Sequence, residues 1–307
     1  MKKIVLTGAS GFIGSHINTM LVNHLYDVYP VSRSDLGNES IFTNDFFGSD
    51  NCAGSSALIH LIGAAHSKYS DKESEYINYE LTKRFLDRSI ELGISRFIFL
   101  STVNVYSEKE TFVDDSTPVN RVQPLNTIKS KIMAEDYIKR TAKKTGIEYT
   151  IIRSPLVYGS GVKANFRSLI ELTSKGLPLP FASISKNRRS LVSISNLYSL
   201  IETCIWHHEA ANKTFLVSDD DDLSTSEIMR EIAIALHKPK WQIPFPVCFY
   251  QFFGHLLGRA EVVNRLVGSL QVDITQTKDT LDWSPSQPLK DGFKEAVQTH
   301  LNRRNNK

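Results

Sequence analysis

The run Thr7-Gly8-Ala9-Ser10-Gly11-Phe12-Ile13-Gly14 constrains this chain more than any other stretch. It follows Lys3-Ile4-Val5-Leu6, a short apolar run that reads as a buried strand, and leads into a helical pattern from about Ile13 to Leu25. Glycines three residues apart suit a tight strand-to-helix turn. One permits an unusual backbone angle, one lets a pyrophosphate approach the main chain, and one lets helix and strand pack closely. The helix N-terminus then meets the phosphates with free N–H groups and the positive end of its dipole. Gly8, Ser10, Gly11, Phe12, Ile13 and Gly14 are therefore candidate cofactor-binding residues, the cofactor being a dinucleotide.

Further strand candidates alternate with helical patterns: Val28–Val31, Ala57–Ile62, Arg96–Leu100, Ile147–Ile152 and Thr214–Val217. Helices are expected from about Asn78 to Leu92 and from about Ile128 to Lys144. This alternation predicts an α/β fold, a Rossmann-type doubly wound parallel sheet covered on both faces. Beyond the fifth strand the alternation weakens and prolines cluster, which predicts a smaller C-terminal substrate-binding region. Residues 1–160 are expected to be mainly the dinucleotide-binding half, with strands returning near 188–218; residues 161–187 and 219–300 are expected to be mainly the substrate half.

With 307 residues, 41% of them hydrophobic, the chain can bury a large core, and a net charge of +3 without a long basic run argues against a nucleic-acid partner. Cys52, Cys204 and Cys248 form no pair with ligand or disulfide spacing, which fits a reducing, cytoplasmic setting. No HExxH, CxxC or histidine cluster points to a metal, and the run Asp219–Asp222 reads as a solvated turn. Apolar runs stay short of a membrane span.

A dinucleotide site without a 2′-phosphate usually places an acid after the second strand. Val31-Ser32-Arg33-Ser34 stands there instead. The Arg33 guanidinium suits a 2′-phosphate, so the cofactor is NAD or NADP with a lean toward NADP. Asp45-Phe46 in the next loop is the candidate contact to the adenine edge. Ligands of open α/β sheets bind outside the carboxyl ends of the strands, which places Thr102 for chemistry. Thr127 and Lys131, four apart, share one helix face.

On these residues the chain resembles the extended short-chain dehydrogenase/reductase family, in its nucleotide-sugar epimerase/dehydratase branch. The resemblance rests on Gly8, Gly11 and Gly14, on His60-Leu61-Ile62-Gly63-Ala64, and on Asn78. It continues through Ser101-Thr102 with Val105-Tyr106, Lys131 with Ala134-Glu135, and Arg153-Ser154-Pro155-Leu156-Val157-Tyr158-Gly159. It implies that Leu61, Ile62, Gly63, Asn78, Lys131 and Ser154 face the cofactor. The C-terminal half is similar to bacterial surface-polysaccharide enzymes, namely UDP-N-acetylglucosamine 4-epimerase-like proteins and the 4-ketoreductases that make UDP-N-acetylquinovosamine. That similarity implies a UDP-linked sugar held by Asn165, the Lys163 loop and Arg189; His66, placed near a strand end, is a candidate to line the cleft, and a homodimer is a further expectation.

One requirement of the resembled family is absent. Four residues before Lys131 these enzymes carry a tyrosine that exchanges a proton with the sugar hydroxyl; here the residue is Thr127. Tyr137 falls off the required helix face, and Tyr106 reads as packing. The implied activity is a 4-epimerase acting on a UDP-hexose or UDP-N-acetylhexosamine through a 4-keto intermediate. The alternatives are an NADPH-dependent 4-keto-sugar reductase of polysaccharide synthesis, and a catalytically impaired sugar-nucleotide-binding or scaffolding protein. Finally, the aromatic stretch Pro244–Gly258 reads as a buried C-terminal helix. Its alternative is an amphipathic surface lying on the inner face of a membrane, which would suit a lipid-diphosphate sugar.

Overall fold

The computed structural model describes residues 2–32, 41–64, 69–122, 126–162, 164–256, 258 and 260–305. The chain opens with β1 (Lys3–Thr7), α1 (Phe12–Asn23), β2 (Asp27–Ser32), β3 (Ile41–Phe42), α2 (Thr43–Gly48) and β4 (Ala57–His60). Helix α3 (Asp71–Glu75) passes through a π turn (Tyr76–Glu80) into α4 (Leu81–Glu91). Then come β5 (Arg96–Thr102), β6 (Phe112–Val113), α5 (Asn126–Thr145), β7 (Glu148–Ser154) and β8 (Leu156–Tyr158). The C-terminal part holds α6 (Ala164–Ser174), β9 (Leu191–Ser193), α7 (Ile194–Trp206), β10 (Lys213–Leu216), α8 (Thr225–Ala235), α9 (Val247–Leu256), α10 (Ala260–Val267), β11 (Gln271–Val272), α11 (Thr275–Leu281) and α12 (Leu289–Asn305).

Seven strands pair in the order β10-β7-β5-β4-β1-β2-β3, all parallel. Strands with both faces covered become continuous apolar runs, which is why Ile4-Val5-Leu6 and Ala57-Leu58-Ile59 are fully buried. Ile17 and Leu21 of α1 meet Leu197, Leu200 and Ile201 of α7 on one face; Phe85 and Leu86 of α4 join Ala134 and Ile138 of α5 on the other. Pro30 is tolerated inside β2 because Val31, its neighbour, turns its carbonyl to Gly8 on the β1 side, while β3 pairs only from Val31 onward. The chain order reverses between β1 and β4, and a doubly wound sheet binds its ligand at that switch point.

A third core joins α6, α8 and α12, with Tyr158, Phe166, Ile228, Ile232 and Phe293 at its centre. The Tyr158 hydroxyl donates to Asp219 at 2.6 Å, and Asp219 also accepts from the Ser193 N–H and the Asn196 amide. Burial raises the pKa of both groups. Asp222 accepts from Ser190 and Gln271, and Asp220 pairs with Lys278 at 2.9 Å. Asp219 and Asp222 thus tie the C-terminal region together, while Asp220 and Asp221 are exposed, as a solvated turn predicts.

Two further expectations are corrected, and one strand was not expected at all. Strand β3 was not legible in the sequence. The helix expected from Asn78 begins at Asp71, held by a Ser70–Glu73 capping box. The aromatic stretch is helical at α9 but not buried, since Phe249, Phe252 and Leu256 are exposed. A second capping box, from Ser224 and Glu227, starts α8. Among the described residues no helix is long and apolar enough to cross a membrane.

Candidate active site

Thr7 ends β1 and the chain turns at once. Gly8 takes φ +73°, and a Cβ there would lie 3.1 Å from the main chain of Leu61 and Ile62, the loop after β4. Gly14 is tighter still, because a Cβ would sit 2.1 Å from the Gly8 carbonyl oxygen. Gly11 is the N-cap of α1 and supplies no side-chain cap, and the first turn holds no acid. The first-turn N–H groups are therefore presented to an anion, with the helix dipole in its favour. This cradle fits a dinucleotide pyrophosphate. It works through main chain: the Phe12 side chain packs on the C-terminal core and that of Ile13 beneath α1.

The second wall is fixed by Asn78. Its Oδ1 accepts from the Ala64 N–H at 2.7 Å, and its Nδ2 donates to Thr127 O at 3.1 Å and Ser130 Oγ at 3.2 Å. The residue is 0% exposed. Asn78 therefore holds the cofactor wall instead of facing the cofactor. The π turn that carries it widens the helix at this point, as such turns do at functional sites.

Behind Asn78 runs a second chain of bonds. Thr82 Oγ1 donates to Asn78 O at 2.8 Å, so its one proton is spent. The contact from His60 Nε2 to Thr82 Oγ1, at 3.1 Å, then has the imidazole as donor, and His60 Nδ1 accepts from Thr7 Oγ1 at 2.9 Å. His60 is neutral there, its pKa lowered to about 3 by burial and by the Lys131 charge. The last residue of β1 is thus linked to the clamp on α5.

Lys131 reaches the same corner from α5. Its Nζ donates to Leu100 O at 2.8 Å, lies over the Phe99 ring, and stands 3.1 Å from where a Gly63 Cβ would be. Desolvation lowers its pKa to about 8, against the pull of Glu135. Thr127 lies one helical turn earlier. Thr102 and Ser154 are register partners at the ends of β5 and β7. Thr102 Oγ1 accepts from the Asn104 N–H at 3.2 Å, and the Ser154 hydroxyl donates to Pro155 O at 2.9 Å.

Under these strand ends, Arg153 forks onto Glu135 at 2.6 and 3.2 Å and donates to the Tyr106 hydroxyl at 2.9 Å. Ser101 Oγ completes the Glu135 carboxylate at 2.6 Å. Burial opposes the Arg153 charge, but the hydrogen bonds and charge of Glu135 outweigh it and raise the pKa. A satisfied buried pair of this kind fixes α5 against β5 and β7.

The model of the NAD dependent epimerase/dehydratase family matches residues 4–217. A UDP-glucose 4-epimerase of Vibrio cholerae is 42% identical over 323 residues, spanning 99% of this chain and 97% of that protein. The chain belongs to the NAD-dependent epimerase/dehydratase family. Its fold is shared with the UDP-glucose 4-epimerase of Thermotoga maritima solved with UDP-glucose, at a TM-score of 0.77 and 20% identity over 98% of this chain and 99% of that one. The UDP-N-acetylglucosamine 4-epimerase of Bacillus cereus gives 0.78 at 20% identity, over 99% and 100%.

In this epimerase/dehydratase chain, the glycine turn, the 61–64 loop, Asn78, Thr127 and Lys131 converge. Other expected residues do not join them. Phe46 is 0% exposed and packs on Phe47 and Phe85, so its ring is core, and a contact to adenine from this pair falls to Asp45 or the main chain. Tyr137, expected off the required helix face, donates to Asp87 at 2.7 Å. Arg189 lies in the C-terminal region, donating to Gly268 O at 3.2 Å. Burial and the neighbouring Arg265 both lower its pKa. Arg33, His66 and Lys163 lie outside the described residues, as does the side chain of Asn165 in the first turn of α6. Sequence reasoning missed His60, Ser130 and the Glu135–Arg153 pair as site builders. Among the described residues no group of three His, Cys, Asp or Glu side chains is placed to hold a metal.

Proposed function

We propose that this chain is an NAD(P)-dependent 4-epimerase of a UDP-linked hexose or N-acetylhexosamine. The observation that carries the proposal is the meeting of the glycine cradle, the Asn78 clamp and Lys131 at the switch point. It gains weight from a UDP-glucose 4-epimerase that is 42% identical along the whole chain. A nicotinamide held by the Gly8–Gly14 main chain would supply hydride acceptance at the sugar C4 and its return once the 4-keto sugar has turned its other face. The protein's own part is positioning and proton handling. Thr102, Thr127 and Lys131 are the candidates to handle the proton of the sugar 4-hydroxyl, and the Lys131 charge favours its loss. Arg189, a part-buried guanidinium in the C-terminal region, is the candidate contact to the diphosphate.

Two other readings each rest on one residue. Arg33 favours NADP and, with it, a 4-keto-sugar reductase; Thr127 favours a sugar-nucleotide-binding protein of low turnover. A lipid-linked diphosphate presents the same anion to Arg189 as a nucleoside diphosphate.

The test is incubation of the purified protein with UDP-glucose, UDP-galactose and their N-acetyl counterparts, with products separated chromatographically. Interconversion of a 4-epimeric pair, with tightly held NAD, is the expected result. Turnover only of a 4-keto sugar with exchangeable NADPH selects the reductase. Calorimetry on native and Arg33→Ala protein isolates the contribution of the arginine.

A further inference from the structure

Two stretches of the C-terminal region, 172–190 and 232–260, contain no Asp or Glu, in a chain with 33 acidic residues. The structure puts them side by side. The Leu179 N–H donates to Trp241 O at 3.0 Å, and the Ile243 N–H donates to Leu179 O at 2.8 Å. The Phe181 ring stacks on Tyr250, and Phe245 packs on Phe249. Their outer surface is strongly apolar: Leu177 is 61% exposed, Trp241 64%, Phe252 63% and Leu256 69%, with Ile243 and Phe249 also exposed. Lys175, Lys186 and Lys240 are exposed on the same stretches.

Large exposed aromatic side chains beside lysines, on two stretches that themselves carry no acid, are what an anionic lipid surface complements. The rings enter the head-group boundary and the ammonium groups meet the phosphates. A second copy of this chain fits the face less well. A two-fold contact brings the same patch of both subunits together, and here that sets lysine against lysine. We propose that this face, built from 175–182 and 238–256, docks the protein peripherally on an anionic bilayer. The inference does not depend on the reaction proposed above.

Flotation with phosphatidylcholine vesicles, with and without phosphatidylglycerol, tests it on the full chain. The native protein is expected to float only with the anionic vesicles, and less as salt is added. Trp241→Ser/Phe252→Ser and Lys175→Glu/Lys240→Glu should each reduce the bound fraction by at least about tenfold. The melting temperature should stay unchanged, because all four side chains are exposed. Absence of flotation overturns the proposal, as does flotation that both double variants retain. A concentration-dependent dimer in solution that the serine variant dissociates assigns the face to a second copy and overturns it too.

Discussion

The Asn78 carboxamide donates to the main-chain oxygen of Thr127 at 3.1 Å. The site's geometry at position 127 is therefore set by backbone and survives a change of side chain. The same carboxamide holds the Ala64 N–H, so one buried residue joins the loop after β4 to the first turn of α5. Asn78→Leu keeps the volume but strands buried polar groups on both sides, at about 1–3 kcal/mol for each. The variant is expected to melt several degrees lower and to bind the dinucleotide at least tenfold more weakly, by calorimetry. Unchanged cofactor affinity would show that the clamp is only structural.

His60 predicts acid sensitivity. Its folded-state pKa of about 3 lies below the ordinary 6.5, so between these values the unfolded chain binds the extra proton. Stability must fall as pH drops through that window, by up to about 1.4 kcal/mol per unit from this one group. His60→Phe, which keeps the stacking with Phe97 and Phe99, should be less stable at neutral pH and lose stability less steeply below pH 6. Urea unfolding at a series of pH values measures both, and parallel pH curves for the two proteins would refute the assignment.

What the sequence disclosed, and what it hid, follows from how far apart the partners lie. The glycine turn, the Thr127–Lys131 spacing and the alternation of strands and helices are local, and each was legible. The Asn78 clamp joins residues 14, 49 and 52 positions apart, and Thr7 meets His60 across 53. Nothing local marks those contacts. The aromatic stretch misled for another reason: composition gives the hydrophobicity of α9 but not whether a neighbour covers it. Phe46 shows the same limit, since a loop aromatic reads equally as ligand contact or core.

Lys131 predicts a rise of stability with pH. Desolvation puts its folded-state pKa at about 8 against the ordinary 10.5. Between those values the unfolded chain binds more protons, so the folded state gains as pH increases. Lys131→Met should flatten this part of the stability curve and weaken cofactor binding. Equal slopes in native and variant protein between pH 8 and 10 would place the lysine in a wetter setting than its contacts with Leu100, Phe99 and Gly63 indicate.

Arg189→Ala is expected to weaken UDP binding by about 1.5–3 kcal/mol, the value of a charge-assisted contact, while leaving the dinucleotide affinity intact. The separation follows from the contacts, because Arg189 bonds Gly268 O in the C-terminal region while the cradle at Gly8–Gly14 is built from main chain. Arg189→Lys should recover only part of the loss, since an ammonium lacks the fork that grips two phosphate oxygens. UDP affinity that ignores both variants would move the substrate's anion elsewhere.

Thr127 decides how fast the chemistry can run. Its hydroxyl is a far weaker acid than a phenol and its side chain is much shorter, so it cannot span the distance a tyrosine covers from the same backbone position. Proton transfer by a positioned side chain contributes roughly 10²–10⁴-fold, about 3–5 kcal/mol of barrier. A proton relayed by a water bound at Thr127 predicts slow turnover. Thr127→Tyr then restores a direct donor one helical turn from Lys131, whose charge lowers the phenol pKa. The substitution should speed single-turnover hydride transfer, followed by nicotinamide absorbance. It should hardly alter cofactor affinity, because Asn78 grips the main chain at 127 and not its side chain. Native protein that already turns over at the rate of its tyrosine-bearing relatives, and slows in Thr127→Tyr, would make the threonine a refitted site and refute the bridging water.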